Sequence, residues 1–213
     1  MIRLQVSGDY ACFTRPEFKA ERVSYDVITP SAARGIIEAI YWKPAIRWVV
    51  DKIIVLNPIN FTNIKRNEVS DKISSFNVKK AMKSNKFLYQ DTSAVRQQRG
   101  SLILKDVSYI IEAHFEMTKK AEEDDTPGKH QAIAVRRMKR GQEFKHPCFG
   151  TREFGVNRYE WANPSIQKGC YSGEKDLGWM LWDLDYANHM DAIFFRAVMQ
   201  DGVIEINDMM KAS

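Results

Sequence analysis

Apolar and polar residues alternate along several segments of the chain, beginning at residues 1–8, where Ile2, Leu4 and Val6 are separated by polar residues. This period of two is typical of a half-buried β-strand. The clearest example spans residues 107–117, in which alternate side chains are apolar and are expected to share one face of a sheet. Shorter apolar or β-branched runs predict further strands at 23–28, 46–56, 150–154, 178–186 and 193–199.

Two segments have the period of an α-helix instead. Thr29 and Pro30 suit the N-cap and the first position of one helix, and Pro44 predicts its end because the residue before a proline avoids the helical region. A second helix is predicted over 129–140, with Gly141 just after its last turn. We expect its packed side to contain Ala132, Ile133 and Met138.

In chain order these elements are strand, helix, strand, strand, helix and strand, which is the order of an RRM/ferredoxin-like α+β sandwich. We therefore predict such a domain over residues 1–155 and a small antiparallel β-sheet domain over residues 156–213. Residues 60–101 combine many basic side chains with few apolar anchors, and predict a basic insertion that is either a long hairpin or mobile. No flexible linker is visible, so the two domains are expected to share an interface.

Charge is distributed unevenly around a formal net charge of +5. Residues 65–105 contain ten Lys and Arg against three Asp and Glu, and residues 129–145 contain six against one. Residues 173–213 reverse the balance, with three against eight. A basic surface of this kind favours a polyanionic ligand, although charge alone does not separate nucleic acid from other anions.

Several classes of function have no support in the sequence. There is neither a run of about 18 apolar residues nor a basic start followed by a long apolar stretch, so we expect a cytoplasmic protein with no membrane partner. The three cysteines lack a CxxC spacing, which argues against a zinc site or a disulfide framework. Nucleotide-binding, GxSxG and HExxH motifs and a clear carboxylate cluster are absent, so no metal or other cofactor is expected.

Lys129 and His130 are the most informative polar pair. At or just before a helix N-terminus the helix dipole disfavours positive charge, whereas free backbone N–H groups and an ammonium suit an anion. A phosphate would resolve this conflict, although a Lys-His pair is also ordinary loop surface. Aromatic residues at helical spacing are usually part of the core, so spacing alone favours a core position for Tyr41. A basic cluster near the end of the second helix suits either the helix dipole or phosphate contacts, and consists of Arg136, Arg137, Lys139 and Arg140.

Six motifs together point to one known family. They are residues 8–14 (GDYACFT), 35–44 (GIIEAIYWKP), 128–130 (GKH), 136–137 with 139–142 (RR and KRGQ), 148–154 (CFGTREF) and 178–181 (GWML). In this combination the chain resembles the subtype I-C CRISPR-associated proteins, the "Cas-five" branch of the RAMP superfamily. The resemblance runs from the first strand to the last, with Thr151 standing where many relatives have Cys.

The resemblance implies a metal-independent endoribonuclease that cuts the repeat hairpin of precursor CRISPR RNA and stays in a type I surveillance complex. The family's catalytic tyrosine falls on Tyr41, and its lysine and histidine fall on Lys129 and His130. Lys43 and the basic cluster are then candidate RNA contacts.

The chemistry of RNA cleavage suits these residue types. The 2′-OH is the nucleophile, so a base, an acid and a positive charge for the phosphate are enough to leave a 2′,3′-cyclic phosphate and a 5′-OH. Both Tyr41 and His130 can move the protons, and their division between base and acid stays open at this point. Two other functions also stay open: a non-catalytic RNA-binding subunit of the same complex, and a metal-dependent DNA nuclease, with double-stranded DNA as a further partner.

Overall fold

A computed structural model describes residues 1–18, 21–84, 87–186 and 188–206. The strands are β1 (Ile2–Ala11), β2 (Arg22–Val23), β3 (Ile46–Val55), β4 (Phe61–Val69), β5 (Arg96–Met117), β6 (Arg158–Trp161), β7 (Glu174–Asp185), β8 (Asp191–Gln200) and β9 (Val203–Glu205). The helices are α1 (Pro30–Ile40), α2 (Ser75–Ser84) and α3 (Pro127–Arg140). Within these ranges, no helix has the length and apolar character needed to cross a membrane.

The strands form one sheet in the order β6-β1-β5-β3-β9-β8-β7, and β2 and β4 also pair with β5. β5 is antiparallel to both β1 and β3, and β1 is antiparallel to β6. Since α1 connects β1 to β3 and α3 connects β5 to β6, the order β6-β1-β5-β3 is that of a ferredoxin-like fold. The predicted α+β class is therefore confirmed.

The main core lies between this sheet and the two helices α1 and α3. In β5, Tyr109 and Ile111 belong to the main core, whereas Ile110 packs against Ile54 and Ala162 in a second, smaller cluster. Successive side chains thus bury on opposite faces, as the alternation over residues 107–117 predicts.

The basic insertion is a hairpin. β4 pairs with the first part of β5 in antiparallel register from Phe61↔Leu104 to Val69↔Arg96. In the chain, α2 lies in the connection from β4 to β5 and has no buried residue. Of the two alternatives for residues 60–101, the structure thus agrees with the long hairpin, while residues 85–86 of the insertion lie outside the described ranges.

Two strand predictions were wrong. Residues 150–154 form a turn, closed by a hydrogen bond of 2.7 Å from Phe149 N–H to the Phe154 carbonyl. Gly150 has φ +82° and lies directly against the backbone of Cys12, so a side chain there would collide with it. The strand that completes the ferredoxin motif is β6. Of residues 23–28, only Val23 lies in a strand, the short β2.

The helix that the sequence predicts over 129–140 is α3, and it begins earlier than predicted. Thr126 is its N-cap, Pro127 occupies the first turn and Gly141 ends it at φ +64°. The buried residues are His130, Ala134 and Met138, which are four residues apart and therefore share one helix face. Met138 was predicted correctly, Ile133 is half-buried, and Ala132 is exposed rather than packed.

The C-terminal strands continue the main sheet. β7 and β8 pair as an antiparallel hairpin, and β9 pairs with β3 through Ile53↔Ile204. The antiparallel C-terminal sheet therefore exists as expected, joined edge to edge to the N-terminal one. The proposed boundary between residues 155 and 156 stays a prediction, and residues 207–213 lie outside the described ranges.

Candidate active site

The end of α1 positions Tyr41. The helix ends at Ile40, and Tyr41 turns into extended backbone (φ −150°, ψ 119°) while its N–H still donates to the Ile37 carbonyl. The indole N–H of Trp48 donates to the Tyr41 carbonyl at 2.8 Å inside the core. These contacts direct the Tyr41 side chain inward, where it is 2% exposed.

The buried face of α3 positions His130, which is 1% exposed. Its ring meets the edge of Phe115 on β5, with 6.2 Å between the ring centroids. Phe115 in turn packs edge to face on Trp48 at 5.3 Å. The histidine that the sequence placed beside a helix N-terminus is therefore a core residue held by aromatic contacts.

The structure brings Tyr41 and His130 together, although 89 residues separate them in the chain. The Tyr41 hydroxyl and His130 Nδ1 are 2.7 Å apart, within a short hydrogen bond. On the other side of the ring, Asp125 Oδ1 lies 3.2 Å from His130 Nε2. The Nε2–H does not point at that oxygen, so Nε2 has no aligned hydrogen-bond partner within the described part of the chain.

Lys129 is the exposed member of the group. Its ammonium donates to the Asp124 carbonyl at 3.0 Å and lies 3.4 Å from Asp125 Oδ1. The expected anion site at the helix N-terminus is not formed as predicted, because α3 begins at Pro127 and the N–H groups of Lys129 and His130 are bonded to Thr126. The positive charge available to a phosphate is therefore that of the Lys129 side chain.

Ionisation distinguishes the two residues that flank His130. Burial raises the pKa of the Tyr41 phenol, an effect that Arg137 opposes and Asp125 reinforces. A hydrogen bond from the Glu122 backbone and the ammonium of Lys129 lower the pKa of Asp125. At neutral pH the phenol therefore keeps its proton, while Asp125 is a carboxylate.

The predicted RNA-contacting residues fall into two groups. Arg137 lies against the site, with its guanidinium 5.4 Å from the centre of the Tyr41 ring and a hydrogen bond of 3.0 Å to the Ile40 carbonyl. The ammonium of Lys139 lies over the ring of Trp161 at 5.5 Å. The others are exposed side chains, namely Lys43, Arg136 and Arg140.

Asp125 is the site residue that the sequence did not single out. The sequence carries only an indirect signal, since Asp125 and Lys129 are opposite charges four residues apart, but Asp125 precedes the N-cap Thr126 and lies outside the helix. Its approach to His130 depends on the turn before Thr126, which composition does not reveal. Within the described residues, no three His, Cys, Asp or Glu side chains are grouped closely enough to hold a metal ion.

Comparison with known proteins assigns the chain to a family. A family model described as "CRISPR-associated protein (Cas_Cas5)" matches residues 1–207. The chain is 51% identical over 211 residues to "CRISPR pre-crRNA endoribonuclease Cas5d" of Mannheimia succiniciproducens, covering 96% of this chain and 94% of that protein. A protein of the same name from Thermus thermophilus is 42% identical over 185 residues, covering 87% of this chain and 73% of that one.

A solved structure named "Crystal Structure of CRISPR-associated Protein" has a similar fold, with a TM-score of 0.70, 27% identity, and coverage of 99% of this chain and 93% of that one. The family match and the structural likeness thus both extend over nearly the whole chain. This chain belongs to the Cas5d family of CRISPR-associated proteins.

Proposed function

We propose that this chain is an endoribonuclease that cuts the repeat hairpin of precursor CRISPR RNA without a metal ion. The observation that carries the proposal is the hydrogen bond between Tyr41 and His130 beside the exposed ammonium of Lys129. The relative from Mannheimia succiniciproducens, named a pre-crRNA endoribonuclease, supports the choice of substrate. The same proposal places the chain in the cytoplasm as a subunit of a CRISPR surveillance complex.

The proposed reaction uses His130 as base and Tyr41 as acid. In the proposed active state the phenol donates to Nδ1, so that Nδ1 presents a lone pair and Nε2 carries the proton. When RNA enters, Nδ1 takes the proton of the 2′-OH, and the 2′-oxygen attacks phosphorus. The Lys129 ammonium neutralises charge on the phosphoryl oxygens.

The bond from phosphorus to the 5′-oxygen then breaks, and the leaving oxygen takes the proton of the Tyr41 phenol. The products are a 2′,3′-cyclic phosphate and a 5′-OH. The imidazolium of His130 returns its proton to the Tyr41 phenolate across their 2.7 Å contact, which restores both residues. Their direct contact in the free protein therefore has a role at the end of each cycle.

RNA binding has to open this site. Tyr41 and His130 are 2% and 1% exposed, so a 2′-OH reaches hydrogen-bond distance only after covering side chains or backbone move. This burial is also what favours the second candidate function, a subunit that holds RNA without cutting it. Double-stranded DNA remains a further ligand to be tested against RNA on the basic surface.

The test is cleavage of an end-labelled repeat hairpin in EDTA by the wild type and by His130→Ala. We expect the wild type to cut and the variant to lose about 10²–10⁴-fold in rate while still binding RNA. His146→Ala is the matched control, because His146 is an exposed histidine whose Nδ1 contacts Glu143.

A hairpin with a 2′-deoxy nucleotide at the cut site separates the two candidate functions. An enzyme of the proposed type binds this RNA and leaves it intact, although it cuts the all-ribose hairpin. If the wild type binds both hairpins and cuts neither, the chain is an RNA-holding subunit. Cutting that stops in EDTA would instead overturn the metal-independent mechanism.

A further inference from the structure

We propose that Asp125 is a positioning residue for RNA cleavage, which holds the His130 ring in the tautomer whose Nδ1 can accept the proton of the 2′-OH. The inference rests on the proposed nuclease function and assigns a role to a residue outside the Tyr41, Lys129 and His130 set. Asp125 itself does not contact the reacting atoms, because the His130 ring lies between its carboxylate and the Tyr41 hydroxyl.

The first observation is that the two ring nitrogens of His130 face different groups. Nδ1 is 2.7 Å from the Tyr41 hydroxyl, and Nε2 is 3.2 Å from Asp125 Oδ1. A base that accepts its proton at Nδ1 has to carry hydrogen on Nε2, and a carboxylate on the Nε2 side favours that arrangement. The same division of labour operates in the Ser-His-Asp triad, where the aspartate orients the imidazole and stabilises the imidazolium.

The second observation is that the turn before α3 aims the carboxylate. The Glu122 backbone N–H donates to Asp125 Oδ2 at 3.3 Å, and the Asp125 N–H donates back to the Glu122 carbonyl at 3.0 Å. These reciprocal bonds hold one carboxylate oxygen in the turn. The other oxygen, Oδ1, is left facing both Lys129 and His130.

The third observation is that Lys129 and His130 share this oxygen. In the free protein the Lys129 ammonium is 3.4 Å from Oδ1, and the Nε2–H of His130 is not aligned with it. A phosphate bound by Lys129 draws the ammonium toward its own oxygens. Oδ1 is then released to accept from Nε2–H, so substrate binding completes the orientation of the base.

The charged and titratable groups around His130 come from the end of α1 and from α3 with the turn that precedes it. Tyr41 follows α1, Asp125 and Lys129 flank the start of α3, and the Arg137 guanidinium lies 5.4 Å from the centre of the Tyr41 ring. β5 contributes the uncharged Phe115. Asp125 is the negatively charged member of this set, so its removal takes away the charge that would stabilise an imidazolium formed during the reaction.

The test measures single-turnover cleavage from acidic to alkaline pH in Asp125→Asn. We expect the rate to fall about 10- to 100-fold, because the asparagine leaves the tautomer unselected and the imidazolium uncompensated. The pH profile of the variant is expected to differ from that of the wild type, since a negative charge beside the base is lost. Asp125→Glu should recover part of the rate, since it restores the charge at a changed distance.

Asp124→Asn is the matched control. It removes the same unit of charge one residue away, and the contact of Asp124 with Lys129 uses its backbone carbonyl. Its RNA affinity should therefore rise as much as that of Asp125→Asn, while its rate and pH profile stay at wild-type values. Equal rates and equal pH profiles for the two variants would overturn the proposal.

A measurement that involves no cleavage separates this inference from the nuclease function, and it is made with the 2′-deoxy hairpin bound, so that a phosphate occupies the Lys129 ammonium. The nitrogen-15 shifts of His130 report which ring nitrogen carries the proton. We expect the Nε2–H tautomer in the wild type and a mixture of tautomers in Asp125→Asn. An unchanged tautomer in the variant would overturn the role of Asp125 even if the protein cuts RNA, whereas absent cleavage with the expected tautomers would overturn the nuclease proposal alone.

Discussion

The two faces of α3 differ in what they contact and in the work proposed for them. The inner face carries His130, Ala134 and Met138, which are buried against the sheet. The outer face carries Arg136 and Arg140, four residues apart and exposed. One helix therefore presents the candidate base to the core and positive charge to solvent, so that proton transfer and phosphate attraction are separated by the width of a helix.

Arg137 lies between the inner and outer faces of α3 and contacts the candidate site. In the sequence it is one of four neighbouring basic residues, but in the structure it lies over the Tyr41 ring and bonds the Ile40 carbonyl. The arginine beside it, Arg136, is exposed. Neighbouring residues of the same type thus have different environments, because each step along a helix turns the side chain by about 100°.

The largest effect expected from the inner side is that of Tyr41→Phe. Loss of the proposed acid should reduce cleavage about 10²–10⁴-fold with RNA binding retained. The protonated phenol is the active form, and burial raises its pKa. As the pH is raised, the cleavage rate of the wild type should therefore fall only under strongly alkaline conditions. Both are measured by single-turnover cleavage over a range of pH.

Tyr171→Phe is the control for that variant. Its hydroxyl accepts a hydrogen bond from the Ile59 N–H at 2.6 Å, so each variant loses one hydrogen bond, at a cost of about 0.5–1.5 kcal/mol of stability. Similar unfolding midpoints with very different cleavage rates would support the assignment. A Tyr41→Phe variant that cuts at the wild-type rate would remove Tyr41 from the mechanism.

A second effect compares two alanines on opposite sides of α3. Ala134→Asn places an amide in the core and should lower the free energy of unfolding by about 2–4 kcal/mol, whereas Ala132→Asn should cost less than about 1 kcal/mol. Both variants share the same change in helix propensity, so their difference measures burial alone. Chemical denaturation gives both values, and equal losses would contradict the orientation of the helix.

The smallest effects are expected from the basic residues. Arg136→Gln should weaken RNA binding and reduce the slope of log K against log salt by about 0.7–0.9 per lost phosphate contact. Arg137→Gln should instead slow cleavage about 2- to 5-fold at saturating RNA, since it removes a cation from the Tyr41 ring. Binding titrations and saturating cleavage distinguish the two, and a reversal of the two patterns would contradict their assignment to different faces.

Most of the fold was predictable because its strands and helices bury one face each. The alternation over residues 107–117 and the N-cap at Thr29 depend on neighbours in the sequence, and both predictions are confirmed. Residues 150–154 were predicted as a strand and are a turn, since the left-handed Gly150 fits against the backbone of Cys12. That contact joins distant parts of the chain, and no local pattern reports it.

The candidate site was likewise predictable only in part. Tyr41, Lys129 and His130 were singled out by residue type and by resemblance, and the structure places them together, while their roles in cleavage stay proposals. His130 was predicted at or just before the helix N-terminus and instead lies three residues inside it, in the first turn, because the helix starts at Pro127. Asp125 was missed, because its carboxylate is aimed by a turn and by bonds to the Glu122 backbone.

By itself the sequence determined the main strands and the two core helices, the basic character of the insertion and of α3, and the residue types suited to proton transfer. These properties depend on periodicity and composition, which act over a few residues. Only the tertiary structure decided that Tyr41 and His130 share a hydrogen bond, that Asp125 approaches the second ring nitrogen, and that Arg137 faces inward. Each of these contacts joins elements that meet only when the helices pack on the sheet, since burial of their apolar faces sets which side chains face each other.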